Sequence, residues 1–583
     1  MSDCETTKQL DQRRAPVAEA MKAYARDGAL AFHTPGHKQG LGAHPLLREL
    51  ITPEGLREEV SLMEELDDLH EPTMCIREAE ALAAELYGAD AAWFMINGTS
   101  GAIHTMLMGT LHPGDVVLVP RNAHRSLVGG IILAGARPIY IQPVIDARLG
   151  IAMGLRLADI EVAVEAHPEA RALVLVYPTY YGVTIDLAAV AALVHSHGLL
   201  LLVDEAHGPH LKFSEALPIQ AIDAGADLAA QSTHKITGSL TQTSLLLGKG
   251  TRIDYERVRQ AASLLQSTSP NQLLLASLDI ARLQLAEQGP ALIGRAVRLA
   301  EALRAAINEI DGLWSFGSEY MGGDGADALD LTKVTVSVRG LGISGPEAEA
   351  ILRHEYKIQC ELSDAFNLLF IISYADTERE TALLLTALQR LAKEHHGQGI
   401  FAVPADLPPV PRCGLDPRTA FFADVEPVSF DQAVSRIAAE QVMFYPPGVP
   451  LLAPGDRVAI CSATRYEWSL LDYAIWRRFT FRLAMPMPDQ ELREQLWAQF
   501  LGAYVPSQLS VDQLAQRSSG LSGAAIEQVC LDAKRAAILA AKPQVEETEV
   551  FRRLGLMMAM MEGSAMPMAP TMPPHIPRSL YPM

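Results

Sequence analysis

Between residues 75 and 250 the apolar positions switch repeatedly between two periods. IREAEALAAELYG (76–88) and GAIHTMLMGTL (101–111) repeat theirs every three to four residues, which predicts helices, and a further helix is expected over 187–197. AAWFMING (91–98), VVLVP (116–120), ALVLVYP (172–178) and LLLLVDEAH (199–207) are short apolar runs that end in glycine, proline or charge, which predicts buried strands. Strands alternating with helices of this length imply a mostly parallel sheet covered on both faces. The expected class is therefore α/β.

From residue 332 the pattern restarts as KVTVSVRG, a helix over 346–356, IQCELSD, LLFIISYA and a helix over 377–394, which predicts a second, smaller α/β unit. PADLPPVPRCG (404–414) reads as a linker, 428–439 as a helix, and YPPGVPLLAPGD (445–456) as a proline-punctuated loop. Beyond 458 one strand-like stretch precedes helical patterns up to residue 542. The Met- and Pro-rich end, 546–583, is expected to be disordered.

Composition narrows the function classes. A length of 583 residues suggests three or four domains at one per ~150 residues. No apolar run approaches the roughly 20 residues of a membrane helix, so no membrane association is expected. The polar, acid-bearing start MSDCETTKQLDQRR predicts neither signal nor transit peptide, and a cytoplasmic location is expected. Six scattered cysteines without a Cys-x-x-Cys pair predict no metal site. A formal charge of −21 argues against a nucleic-acid partner, because such binding depends on Lys and Arg displacing phosphate counterions. A cationic small substrate would not be repelled.

The run ending in VDEAH has the look of an ATPase acid strand, but no Gly-x-x-x-x-Gly-Lys-Ser/Thr cradle precedes it, and GKGT (248–251) has neither the spacing nor the position. A better partner for Asp204 lies 31 residues on, in QSTHKITG (231–238). A lysine flanked by hydroxyls and a histidine suits the Schiff base of pyridoxal 5′-phosphate (PLP), an aldehyde that needs an amine to hold it. A carboxylate such as Asp204 would keep the ring nitrogen protonated so that the ring acts as an electron sink. Gly98, Thr99 and Ser100, opening a helix, suit its phosphate.

Taken in order, FHTPGHKQG (32–40), LHEPTMCIREAE (69–80), NGTSGA (97–102), PRNAHRS (120–126), YPTYYG (177–182), VDEAH (203–207), STHKITGSLTQ (232–242) and YPPGVPLLAPG (445–455) make residues 10–456 resemble the Orn/Lys/Arg decarboxylases. These are fold-type-I PLP enzymes, and the likeness is to their short form without an N-terminal wing. The resemblance implies that Lys235 carries the cofactor, Asp204 pairs with its ring nitrogen, and His124 stacks on the ring. Thr99, Ser100 and Ser232 would hold the phosphate with Gly98, His234 would lie beside the lysine, and Ala206 and His207 would shape the other side. His207 or Lys235 would return a proton to the substrate's Cα.

His33 and His37 fall in a segment that lies near the active site at the subunit interface in the family, so a homodimer or higher homo-oligomer is expected. Glu361, Asp364 and Glu426 are candidates for the substrate's cationic end. Arginine is chosen over lysine or ornithine on the resemblance. Met74 stands where the family usually has glycine, which would strain the backbone if φ there were positive. Another fold-type-I reaction, transamination or aldol cleavage, and an inactive PLP-binding scaffold remain open.

Residues 458–542 resemble a fragment of an AAA+ ATPase module: a strand ending at Ala463-Thr464, the pair Arg477-Arg478, and lid-like helices over 514–540. Without a nucleotide cradle the fragment is expected to act as an adapter for an AAA+ ATPase partner or to pack as a helical relic. The expected layout is an N-terminal helical segment (1–31), a PLP-binding domain (32–330), a small α/β domain (331–403), a decarboxylase C-terminal segment (404–456), the partial AAA+ module (457–545) and the disordered tail (546–583).

Overall fold

A computed structural model describes residues 10–395, 411–428, 433–444, 449–458, 490–504, 509–519, 521, 523–539 and 542–562. The chain divides into two units, residues 1–461 and 462–583, and each is described by itself.

In the first unit the strands are β1 (Ala91–Met95), β2 (Val116–Pro120), β3 (Arg137–Ile141), β4 (Ala170–Val176), β5 (Val183–Thr184), β6 (Leu200–Asp204), β7 (Leu228–Gln231) and β8 (Ser244–Gly248). Seven of them form one sheet in the order β1-β8-β7-β6-β4-β2-β3. Strands β3, β2, β4, β6 and β7 run parallel. β8 is antiparallel to both β7 and β1. The link from β7 to β8 holds a single helical turn, Thr233–Ile236, where a parallel return would need a crossover helix. Successive residues of a strand face opposite sides, and β6 shows it: Leu201 and Val203 join the core on one face of the sheet, Leu200 and Leu202 the core on the other.

β5 pairs with β9 (Ala328–Leu329) and leads to a small sheet of β10 (Lys333–Ser337), β11 (Leu362–Ser363) and β12 (Asn367–Ile371), antiparallel throughout. Its core of Val334, Val336, Leu368 and Phe370 is closed by Leu388 and Leu391 of the helix Glu378–His395. The helix Gly345–Glu355 starts in a capping box of Ser344 and Glu347. The 37-residue helix Gln272–Asn308 serves two cores, giving Leu275 and Leu285 to the large domain and Leu303 and Ile307 to the small one.

The C-terminal segment differs from expectation in two places. Within 428–439 the described residues form no α-helix: apart from a local turn in which Arg436 N donates to Ala433 O, Ser435 N donates to Val458 O at 2.7 Å, Ala438 N to Asp456 O at 2.8 Å and Gly455 N to Ala438 O at 2.8 Å, so the backbone pairs mostly at long range. The expected loop over 445–456 carries strand β14 (Val449–Leu452), which pairs with β13 (Val442–Phe444). Asp456 anchors the segment, accepting from Arg121 at 2.8 Å in a buried pair. Val458 N donates to Arg436 O, so residue 458, given at first to the ATPase-like module, is bound to this segment. Residues 404–410 of the linker lie outside the described residues.

The second unit is helical where described. Helices Gln490–Leu501, Val511–Arg517 and Gly523–Leu539 pack around Trp497, Leu514, Ile526 and Cys530, and Trp497 Nε1 donates to Ser518 Oγ at 2.9 Å. The expectation of disorder from residue 546 is corrected: Glu547–Glu562 is a helix whose Val550 and Leu554, four residues apart, are buried in that core. Ala463-Thr464, Arg477-Arg478 and residues 563–583 lie outside the described residues. Among the described residues no helix is long and apolar enough to cross a membrane.

Candidate active site

Parallel strands end on one edge, and ligands bind in the crevice beyond it. β2 ends before His124, β4 before Tyr177, β6 at Asp204 and β7 before Ser232, which opens the turn carrying Lys235. β1 points the same way, because β8 reverses direction twice over, and it runs into the helix Gly98–Thr110. Gly98 has φ +66°, the left-handed region that glycine enters freely, and its N–H donates to Gln242 O at 2.7 Å. The helix start has no side-chain cap. Thr99 Oγ1 instead bonds the hydroxyls of Ser232 and, at 2.9 Å, Ser244, while Ser100 is exposed.

Lys235 Nζ lies 2.9 Å from His207 Nε2. Burial lowers the lysine's pKa, opposed by the charges of Asp204 and Glu361. Asp204 is 6% exposed, and its carboxylate accepts one hydrogen bond among the described residues, from Ala206 N at 3.2 Å. Burial raises its pKa and the charge of Lys235 works against that. His124 is the N-cap of the helix Arg125–Ala134, with Ser126 N donating to its Nδ1 at 3.2 Å. Burial first, then the charges of Lys235 and Arg125, push His124 down to about 4, so the ring is neutral at physiological pH. His234 bonds Thr243 O through Nδ1 at 2.7 Å.

Glu205 follows Asp204 and faces the opposite way, fully buried, accepting from Ala221 N at 2.7 Å and Gln231 Nε2 at 2.8 Å. Burial pushes it up to about 8. An acid with a raised folded pKa stays protonated in the fold while the unfolded chain ionises, so stability falls as pH rises from about 4.5 to about 8. Glu205→Gln is expected to remove that slope, with the variant gaining on the native protein towards pH 8 in denaturant titrations; parallel curves across the range would refute it.

The candidates for the substrate's cation separate clearly. Glu361 is exposed, takes a hydrogen bond from Tyr180 OH, and acts on Lys235 through its charge. Asp364 is spent on its own turn, accepting from Phe366 N and Asn367 N at 2.9 Å and from Tyr181 OH at 2.6 Å. Glu426 is a surface partner of Arg436. His33 bonds Tyr24 OH at 2.9 Å and His37 bonds Glu59 at 2.6 Å, and neither has a contact with Lys235 or Asp204 among the described residues. Met74 has φ −128°, so the anticipated backbone strain does not arise.

Three site residues escaped the sequence reading: Ser244, Tyr180, whose ring meets that of His207 edge-on at 4.6 Å, and Lys333, whose Nζ lies 2.8 Å from His207 Nδ1. Tyr180 lies inside YPTYYG, which was its available signal. A lone lysine at the start of KVTVS gave none. The whole donor set suits an aldehyde cofactor with a ring nitrogen and a phosphate: a buried carboxylate with one hydrogen bond, a helix start without a side-chain cap beside three hydroxyls, and an accessible amine beside His207.

The class is set by the fold. The constitutive lysine decarboxylase of Escherichia coli superposes with a TM-score of 0.65 at 24% identity, covering 77% of this chain and 76% of that one. A lysine decarboxylase from Francisella novicida gives 0.66 at 22%, covering 77% and 75%. The first unit thus has the fold of these lysine decarboxylases. Family models for the Orn/Lys/Arg decarboxylase major domain and C-terminal domain match residues 15–324 and 413–472. The arginine decarboxylase of Halalkalibacterium halodurans is 45% identical over 76% of this chain and 91% of its own length, and that of Bacillus subtilis is 41% identical over 77% and 92%. The chain belongs to the Orn/Lys/Arg decarboxylase family. The C-terminal domain match runs to residue 472, past the boundary expected at 456, in accord with the pairing of Val458.

Proposed function

We propose that the protein decarboxylates arginine to agmatine with PLP. The reading is carried by its likeness to arginine decarboxylases along nearly their whole length, and the strand-end cluster around Lys235 supports it. Lys235 would hold the aldehyde, and Thr99, Ser100, Ser232 and Ser244, with the start of the helix Gly98–Thr110, would hold the phosphate. When bound, the cofactor supplies an electron sink for the pair left by departing carbon dioxide. Asp204, an acid in a dry site, holds a proton on the ring nitrogen. Neutral His124 would lie against the ring and add no charge there. The reaction consumes one proton at Cα, and His207 or Lys235 delivers it. Glu361 faces the substrate's distal cation at the mouth, oriented by Tyr180.

A homodimer in the cytoplasm completes the reading: Leu30 (83%), Phe32 (93%) and Leu41 (83%) stand exposed around His33 and His37, an apolar strip suited to a second copy. The test is release of carbon dioxide and amine from PLP-loaded protein given arginine, lysine or ornithine. Preference for arginine is expected. Turnover of another basic amino acid would change the substrate, and PLP binding without turnover of any would favour a scaffold. Glu361→Gln is expected to raise KM for arginine about fivefold with kcat little changed, as befits a partly screened charge pair; an unchanged KM would remove Glu361 from substrate recognition.

A further inference from the structure

His207 stands between two amines. Its Nε2 is 2.9 Å from Lys235 Nζ and its Nδ1 is 2.8 Å from Lys333 Nζ. A neutral imidazole has one N–H and one lone pair, and an ammonium can only donate. Both contacts are hydrogen bonds only if at least one lysine is a free amine accepting from the ring N–H, while the other donates into the ring's lone pair, as an ammonium does. Two ammonium groups would leave an N–H facing an N–H. The ring itself stays neutral, held so by burial first and then by the charges of Lys333 and Lys235.

Lys333 is built into this place. It is the first residue of β10, 1% exposed, and the His207 ring is the one hydrogen-bonding partner of its Nζ among the described residues. The nearby carboxylate of Asp330 bonds His210 and Thr332 instead and reaches Lys333 only through its charge. The lysine stem crosses Gly182, where a Cβ would lie 2.8 Å from Lys333 Cγ and where φ is +88°. Two parts of the chain 151 residues apart leave room for a buried amine in a place where methionine would pack as well.

Resting on the proposed decarboxylase reading, we infer that Lys333 is the proton reservoir of the site, a positioning residue that keeps Lys235 a free amine and recharges it through His207. The step balances. Lys333 gives a proton to Nδ1 as Nε2 gives its own to Lys235 Nζ; one N–H bond breaks and one forms at each end, the ring changes tautomer, and the positive charge moves from Lys333 to Lys235. A donor at Cα spends one proton per turnover, and this relay restores it. The charges facing the relay are Asp204 and Glu361 on Lys235, Asp330 and Glu361 on Lys333, and His124 and His210 on His207. Burial holds Lys333 down at about 8, within reach of a working proton donor.

The experiment has two parts, both on the full chain. In cofactor-free protein the rate of acetylation of Lys235 is followed by peptide mass spectrometry from about pH 6 to about pH 10. Lys333→Met leaves Lys235 to bind the shared proton alone, so its apparent pKa is expected to rise by at least about one unit, a tenfold loss of reactivity at neutral pH. Lys333→Arg keeps a permanent cation there and is expected to restore native reactivity. In PLP-loaded protein, Lys333→Arg cannot give up its proton, so arginine turnover should fall at least about tenfold and the alkaline limb of the kcat profile should disappear. An Lys235 titration unmoved by Lys333→Met, or an alkaline limb unmoved by Lys333→Arg, overturns the relay. The acetylation arm needs no turnover: if no basic amino acid is decarboxylated but the titration shifts, the proton shared through His207 stands while the substrate reading and the recharging step both fail.

Discussion

Lys235→Ala is expected to abolish release of carbon dioxide and amine from arginine, lowering kcat by at least about three orders of magnitude. The amine is placed by backbone rather than by chance: β7 ends at Gln231, and the turn Thr233–Ile236 carries Lys235 to the imidazole of His207. Alanine removes the one group that can hold an aldehyde and exchange it for the substrate's amine, yet it empties only a flexible, partly solvated stem. The variant should therefore fold, and its thermal unfolding in the absence of PLP should match the native protein. The visible absorbance of a lysine-bound cofactor should be missing as well. A variant that decarboxylates arginine at more than about one per cent of the native rate would show that another residue carries the cofactor.

Asp204→Asn should cost on the order of 10² to 10³ in kcat, comparable to the loss of one preorganised electrostatic contact in a dry site. Asparagine keeps the shape of the side chain but has no charge with which to hold a proton on the ring nitrogen. The same substitution removes a carboxylate that stabilises the charged form of Lys235, so the Lys235 amine should titrate lower. Affinity for PLP and the lysine titration are thus readouts separate from turnover. Native-like kcat with weakened binding would make Asp204 a docking group only.

How far the sequence could be read follows from the range of the interactions involved. Strand β6 was visible as an apolar run, Asp204 because a strand buried on both faces ends abruptly where polar chemistry begins, and Lys235 because hydroxyls and a histidine flank it. Lys333 was hidden, because its burial depends on Gly182, and nothing within KVTVS distinguishes a lysine under a glycine turn from one in water. Glu361 and Asp364, three residues apart, looked equivalent; the turn to Asn367 consumes one carboxylate and leaves the other to Tyr180. The pairing of 435–438 with 455–458 likewise has no local signature. The helix Glu547–Glu562 was missed because a Met-rich segment earns its helicity from tertiary contacts, here Val550 and Leu554 in a core with Ile526 and Cys530.

The helix Gln272–Asn308 gives side chains to the cores of both domains of the first unit, and it is continuous across the junction. Melting the small sheet would strip Leu303 and Ile307 of their partners, and the loss would propagate along the same backbone hydrogen bonds to Leu275 and Leu285. The two domains are therefore expected to unfold together. Lys333, carried on the small sheet, should then be lost with the strand-end cluster, so that the amine proposed to recharge the site and the amine that receives the charge are present or absent together.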